Sequence, residues 1–341
     1  MNKVSWKDIW ILAEQRKGRI LDISFELLTR GLELRAQRGC RLNAMVFGSA
    51  IAEGELQKLI DCGADSVVFY RAPELKHFLI EPYAACMLEM IEEFRPEVVL
   101  AGATSSGRTL MPYVAVKAHT GLTADCTQLK YEKNSGNLLQ TRPAIGGNIM
   151  ATIITPEHRP QMATVRPKSA PSAEPMKGRT GEITIRTPGE KLKSRIERIR
   201  SIPADEKLSL QDAEKVVVVG RGIRKAENLP LIRAFADEIG AALGASREVV
   251  DRGWLSYSHQ VGLSGKTITP KLYIGVGVSG AIQHLAGMQT AENIIAVNSD
   301  PEAQIFQVAD FGITGNLFDV IPELTLKLKQ MKTDSVTGSG M

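Results

Sequence analysis

Leu272-Tyr-Ile-Gly-Val-Gly-Val-Ser-Gly-Ala-Ile-Gln-His284, running on through Gly287 to Ala296-Val-Asn298, is the stretch that decides the fold. It orders a buried apolar run, a turn of small residues, the start of a helix and a second apolar run. That order makes strand, glycine turn, helix and parallel strand, which carries backbone N–H groups up to a phosphate or a flavin ring. Gly275, Gly277 and Gly280 satisfy G-x-G-x-x-G, a weak pattern by itself because glycine is common in strand-to-helix turns. The end of the second run is more discriminating. A nicotinamide dinucleotide site wants an acidic residue there for the ribose hydroxyls, and the chain has Asn298, which argues against an ordinary dehydrogenase.

Upstream, Val216 to Val219 reads as a buried strand. Asn228 can cap a helix with Pro230 in its first turn, and Ile232, Phe235, Ala236, Ile239 and Leu243 share one helical face. An independent α/β domain starts here. Before it, Thr187 to Asp212 lapses into Pro188-Gly189, basic residues and Pro203, the composition of an exposed linker with room for one short helix. Residues 1–200 are therefore expected to form an N-terminal domain and 201–330 a C-terminal one, with a disordered polar tail over 331–341.

In the N-terminal half, apolar runs at Ile9–Ala13, Ala44–Phe47, Val67–Tyr70 and Val98–Ala101 alternate with amphipathic stretches. This rhythm gives an α/β domain with a mainly parallel, nucleotide-binding-like sheet. Leu21, Phe25, Leu28 and Leu32 should be the buried stripe of its first helix. Ala84, Met87, Ile91 and Phe94 should do the same in a helix ended by Pro96.

A chain of 341 residues, 43% hydrophobic and 23% charged, is long enough for two cores. Its charge of +4 comes from 42 basic against 38 acidic residues; the basic scatter from Lys177 to Arg200 is interrupted by Glu182, Glu190 and Glu197, which suits a solvated linker and not nucleic acid. Cys40, Cys62, Cys86 and Cys126 are too widely spaced for zinc or an iron–sulfur cluster and read as free thiols. With no apolar run of spanning length and no signal peptide, neither membrane insertion nor export is expected, and the protein should be cytoplasmic.

Three N-terminal loops invite a functional reading. Gly102-Ala-Thr-Ser-Ser-Gly-Arg108 resembles an anion nest but equally a helix cap, and capping is favoured. His119, in His119-Thr-Gly-Leu-Thr-Ala-Asp125, lacks metal-ligand neighbours and should be a packed or hydrogen-bonded histidine. In Thr141-Arg-Pro-Ala-Ile-Gly-Gly-Asn148 two glycines near Arg142 let the backbone approach a ring or phosphate, or simply turn between strands.

Tyr273 through Asn298, with Ser279-Gly-Ala-Ile-Gln-His284 at its heart, resembles the signature of the electron transfer flavoprotein alpha subunits. Val219-Gly-Arg-Gly222, Gly244-Ala-Ser-Arg247, Asp251, Gln260-Val-Gly262, Gly265-Lys266, Asp300-Pro-Glu-Ala303 and Phe306-Gln-Val-Ala-Asp310 extend the resemblance over essentially the whole chain. It implies an N-terminal α/β domain that docks a beta subunit in a heterodimer, and a C-terminal Rossmann-like domain holding one FAD. The implied FAD contacts are Arg221 and Gly222 at the pyrophosphate, Ser246 and Arg247 at the ring, and Gln260, Val261, Gly262, Leu263 and Ser264 along its edge. Gly277, Ser279, Gly280, Ala281, Ile282, Gln283 and His284 follow, with His284 donating toward the flavin C2 carbonyl. Asn298, Asn316 and Leu317 complete the adenosine side.

Leu263 and Ser264 stand where family members usually have glutamine and threonine, and Asn316 where aspartate is common. Ser264 keeps a hydroxyl able to donate to the flavin N5. The run Thr141 to Met150, with Val165-Arg-Pro167, resembles alpha subunits of anaerobes that bifurcate electrons. That subtype implies a second FAD and the NADH site in the beta subunit, with ferredoxin as a further partner. The simple carrier implies AMP in the beta subunit and an acyl-CoA dehydrogenase-like or other flavin dehydrogenase as donor. No nucleophile or acid–base pair is required. Two alternatives remain at this point: an AMP- or ATP-binding regulatory module without redox chemistry, and a pyridine-nucleotide dehydrogenase.

Overall fold

The apolar runs become the strands of two separate parallel sheets. The computed structural model describes residues 6–144, 149–189, 192–200, 210 and 213–337, and divides into two compact units, Met1–Arg200 and Ser201–Met341.

In the first unit β1 (Ile9–Ala13) is followed by a short hairpin of β2 (Gln15–Arg16) and β3 (Arg19–Ile20), then α1 (Asp22–Arg38), β4 (Leu42–Gly48), α2 (Glu53–Asp61), β5 (Ser66–Arg71), α3 (Ile80–Phe94), β6 (Val98–Gly102), α4 (Ser105–Lys117) and β7 (Leu122–Cys126). Next come β8 (Gln128–Tyr131), β9 (Leu138–Pro143), β10 (Met150–Ile153), β11 (Gln161–Val165) and β12 (Glu182–Arg186). Seven strands pair in the order β12-β5-β4-β1-β6-β11-β7, every pair parallel. Strands β8 to β10 form a small antiparallel sheet.

Alternation along β1 sends Ile9, Ile11 and Ala13 into the core under α1 and α2, and Trp10 and Leu12 into the core under α3 and α4. A strand buried on both faces has to be a continuous apolar run, and β1 is one. The buried stripe of α1 differs from expectation: Leu27, Leu28, Gly31 and Leu34 face the sheet, while Phe25 and Leu32 are only partly covered. Gly31 is the cause, because a Cβ there would lie 2.4 Å from Leu42 Cδ1. The helix seats Gly31 on the sheet between Leu27, Leu28 and Leu34, which leaves Phe25 and Leu32 on the flanks.

The second unit contains β13 (Lys215–Val219), α5 (Leu229–Glu238), β14 (Ala242–Ala245), the single-turn α6 (Arg247–Asp251), β15 (Leu272–Val276), α7 (Ile282–Leu285), β16 (Ile294–Asn298), β17 (Phe311–Thr314) and α8 (Leu317–Thr337). Its five strands are all parallel, in the order β14-β13-β15-β16-β17. Counted within the unit this is 2-1-3-4-5, the flavodoxin-like doubly wound order and not the 3-2-1-4-5-6 of the dinucleotide-binding fold; both place ligands where the strand order reverses. Here the reversal lies between β13 and β15.

One face of this sheet is covered by α5 and α8, through Ile232, Phe235, Ala236, Leu317 and Ile321. The other is covered mainly by irregular chain, through Leu210, Val261, Ile268, Val278, Met288, Ala303 and Ile305. Asn228 does not cap α5 with its side chain; its Nδ2 donates to Ile223 O at 2.8 Å, and Leu243 lies on β14, beyond the helix. No described residue between Thr187 and Leu210 is helix or strand, and α8 continues to Thr337, into the stretch expected to be a tail. Among the described residues no helix is long and apolar enough to cross a membrane.

Candidate functional site

At the carboxyl ends of β13 to β16 a cavity of about 560 Å³ opens around the reversal point, within the usual range for small-molecule sites, roughly 300–1,000 Å³. Its floor is backbone. Gly220 N donates to Val276 O at 2.9 Å and Gly222 N to Gly277 O at 3.1 Å, so the turns after β13 and β15 lie directly against each other. A Cβ at Gly220 would sit 2.0 Å from Gly277 O, and Gly277 itself has φ +64° with Gly222 Cα 2.8 Å from where its Cβ would be. Of the G-x-G-x-x-G segment, Gly277 thus serves first to let the two turns touch.

Most of the residues expected at a ligand line this cavity: Arg221 and Gly222 after β13, Ser246 and Arg247 after β14, Gln260 to Ser264, Gly277, Ser279, Ala281, Gln283, His284, and Asn298 after β16. Four do not. Gly280 (φ +85°) packs its backbone against Ile305, where a Cβ would be 2.2 Å from the amide nitrogen. Ile282 points outward and is 69% exposed. Leu317 is buried in the core under α8, and Asn316 is used at the start of that helix, accepting from Phe318 N at 3.3 Å and donating to Asp319 at 3.0 Å. Sequence reasoning in turn missed Gly220, Glu248, Val278, Asp300 and Ala303 as wall residues, and quoted Asp251 only as part of the resemblance. The signal for Gly220 and Val278 was their position just past the two central strands.

The walls have an ordered hydrogen-bond structure. His284 is 7% exposed; its Nδ1 lies 3.1 Å from Val261 O and its Nε2 2.8 Å from the Tyr273 hydroxyl. A carbonyl only accepts, so Nδ1 carries the proton and Tyr273 donates to Nε2. Burial pushes the imidazole down to about 4, against the opposing bond to Val261. His284 is therefore neutral, with its one N–H directed at Val261 O and its other ring nitrogen at the Tyr273 hydroxyl. Asn298 is similarly engaged, donating to Val278 O at 2.9 Å and accepting from Asp300 N at 3.0 Å.

Arg221 and Arg247 are the cations of the site. Arg221 meets Glu248 at 3.1 Å and Arg247 meets Asp251 at 3.3 Å, with all four side chains well exposed. Exposed single-contact pairs are worth ~0–1 kcal/mol, so both guanidiniums are free to turn to an anionic ligand. Together with Ser246, Ser264, Ser279 and the small, glycine-rich floor, they fit a diphosphate-linked cofactor with a polyol and a flat ring. No group of three or more His, Cys, Asp or Glu that could hold a metal occurs among the described residues.

The N-terminal loops resolve differently. Thr104 accepts from Gly107 N at 3.0 Å and donates to Glu14 at 2.7 Å. The loop is a helix cap, and its Thr104 hydroxyl is engaged by the carboxyl of Glu14, which burial pushes up to about 7. His119 is exposed at a left-handed turn position, φ 51°, and is not packed as expected. Asp125 pairs with Arg166 at 2.5 Å and Arg108 at 3.5 Å. Burial alone would raise its carboxyl, but the Arg166 hydrogen bond and charge, with Arg108 and Arg142, hold it low. Residues 145–148 of the Arg142 run lie outside the described residues; on either side of them β9 and β10 pair antiparallel. Cys62, Cys86 and Cys126 are buried free thiols and Cys40 is partly exposed.

The sequence matches the electron transfer flavoprotein domain family over residues 9–190 and the electron transfer flavoprotein FAD-binding domain family over residues 209–289. Among curated relatives it is 45% identical to the electron transfer flavoprotein subunit alpha of Thermoanaerobacterium thermosaccharolyticum, over 96% of this chain and 99% of that one. It is 42% identical to the lactate dehydrogenase (NAD(+),ferredoxin) subunit LctC of Acetobacterium woodii, over 95% of this chain and 77% of that one. It is 41% identical to the acryloyl-CoA reductase electron transfer subunit beta of Anaerotignum propionicum, over 96% and 97%.

Proposed function

Because the chain belongs to the electron transfer flavoproteins, as an alpha subunit with a C-terminal FAD-binding domain, we propose that the cavity at the β13/β15 reversal is where its FAD is held. The observation that carries this is that all the cavity's lining except Asn298, Asp300 and Ala303 falls within residues 209–289, the span matched by the FAD-binding family. Arg221 and Arg247 would balance negative charge, with Arg247 nearer the ring. Ser264 would donate to the ring edge, and His284 would hold the Val261 segment in place as a neutral bridge to Tyr273. Asn298 would shape the adenosine end through Val278 and Asp300. When bound, FAD supplies reversible transfer of electrons one at a time. The protein's part is to fix orientation, exclude water and set the surrounding charge.

As an alpha subunit the chain pairs with a beta subunit. We read the pair as the bifurcating kind, with a second FAD and the NADH site in the beta subunit and ferredoxin as an acceptor. The likeness to the ferredoxin-linked lactate dehydrogenase subunit and the run Thr141 to Met150 support this. An acyl-CoA dehydrogenase-like donor or acceptor fits the likeness to the acryloyl-CoA reductase subunit. Nothing favours the nucleotide-sensing alternative, and the Thr104 hydroxyl that a phosphate could use is already donated to Glu14. Flavin content of the chain co-expressed with its beta subunit tests the reading: two FAD per heterodimer is expected. One FAD with one AMP would mean a simple carrier, and a preparation that stays colourless with added FAD would overturn the flavin site.

A further inference from the structure

We propose that Gln260 is a positioning residue that sets the direction of the Ser264 hydroxyl, so that Ser264 meets the cavity as a hydrogen-bond donor. This rests on the reading of the cavity as the flavin site. A serine carries one heavy atom on Cβ and has three staggered positions open to it, and its hydroxyl can either donate or accept. Left alone it would not specify which. Here Gln260 is 3% exposed, and its Nε2 donates to Ser264 Oγ at 3.0 Å. An amide NH₂ has no lone pair to accept with, so the serine proton is turned away from Gln260 and toward the space both residues line.

The rest of the loop holds this pair in register. Tyr257 donates to Ser264 O at 2.5 Å, Leu263 N to Gln283 O at 2.7 Å and Lys266 N to Gln260 O at 2.7 Å. The chain folds tightly over the glutamine at Gly265, where a Cβ would lie 2.4 Å from Gln260 O and 2.9 Å from its Cγ. A hydroxyl whose orientation is fixed in advance stabilises negative charge that develops opposite it without reorganising. Toward a ring that gains electron density on reduction, such a donor raises the reduction potential, and Gln260 would contribute to that potential only through Ser264.

A double-mutant cycle on the FAD-loaded heterodimer tests this, with Gln260→Met, Ser264→Ala and the pair compared by spectroelectrochemical titration and FAD content. Each single change is expected to lower the one-electron equilibrium constant for reduction about tenfold, equivalent to roughly 59 mV, and the double change to lower it no further than either. An undiminished Gln260→Met shift in the Ser264→Ala background would overturn the proposal, since Gln260 would then act by another route. No shift from Gln260→Met while Ser264→Ala shifts would do the same, as would loss of FAD from Gln260→Met alone. No shift from Ser264→Ala with FAD retained would overturn the proposal while leaving the cavity reading standing.

Discussion

A single buried histidine carries a measurable acid sensitivity. His284 is held at about 4 in the folded protein, chiefly by burial, against about 6.5 in an unfolded chain. Its folded value is depressed, so the stability it contributes is complete above about pH 6.5 and is lost as pH falls toward 4, because the unfolded chain binds a proton that the folded one refuses. The full effect is at most about 3 kcal/mol. Urea unfolding of the second unit should weaken between pH 6.5 and 4.5 in the native chain and weaken less in His284→Asn. Equal slopes would assign the acid sensitivity elsewhere. The histidine was visible in the sequence and its chemistry was not, because its two partners, Tyr273 on a strand and Val261 in a distant loop, meet it only in the fold.

Turns show most sharply where local signals run out. Gly277 and Gly240 have nearly the same backbone, φ +64° and +65°, but a Cβ would meet Gly222 Cα at 2.8 Å in the first and nothing within 4 Å in the second. Gly240→Ala should therefore cost only left-handed strain, ~1–2 kcal/mol. Gly277→Ala adds a backbone collision and should cost at least about 3 kcal/mol and release FAD. Denaturant melts and flavin absorbance of the two variants measure both; equal losses would mean the turns can part. The strands themselves were legible, since Val216 to Val219 and Ile9 to Ala13 must be apolar throughout to be buried on both faces. The face of α1 was not, because Gly31 gives no hydrophobic signal yet seats the helix on Leu42. Nor could periodicity show that one face of the second sheet is covered mainly by loops, although those loops make the cavity.

The two units each bury their own cores on both faces of a parallel sheet, which is the anatomy of domains able to fold apart. Residues 193–200, at the end of the first unit, are exposed, irregular and rich in lysine and arginine. A carrier that must approach a donor and an acceptor in turn gains from a covalent link between two domains, because a linker raises the effective concentration of one domain near the other. Limited trypsin treatment of the FAD-loaded heterodimer should cut within this segment before either unit is degraded. The C-terminal fragment should keep its flavin through gel filtration, since every residue lining the cavity lies beyond Ser201. On the bifurcating reading proposed above, electron delivery from the beta subunit to that flavin should then fall with dilution, while the uncut complex is insensitive to concentration. Early cuts inside the second unit would contradict its independence, and concentration-independent transfer after cutting would show that contacts with the beta subunit, not the tether, keep the flavin in reach.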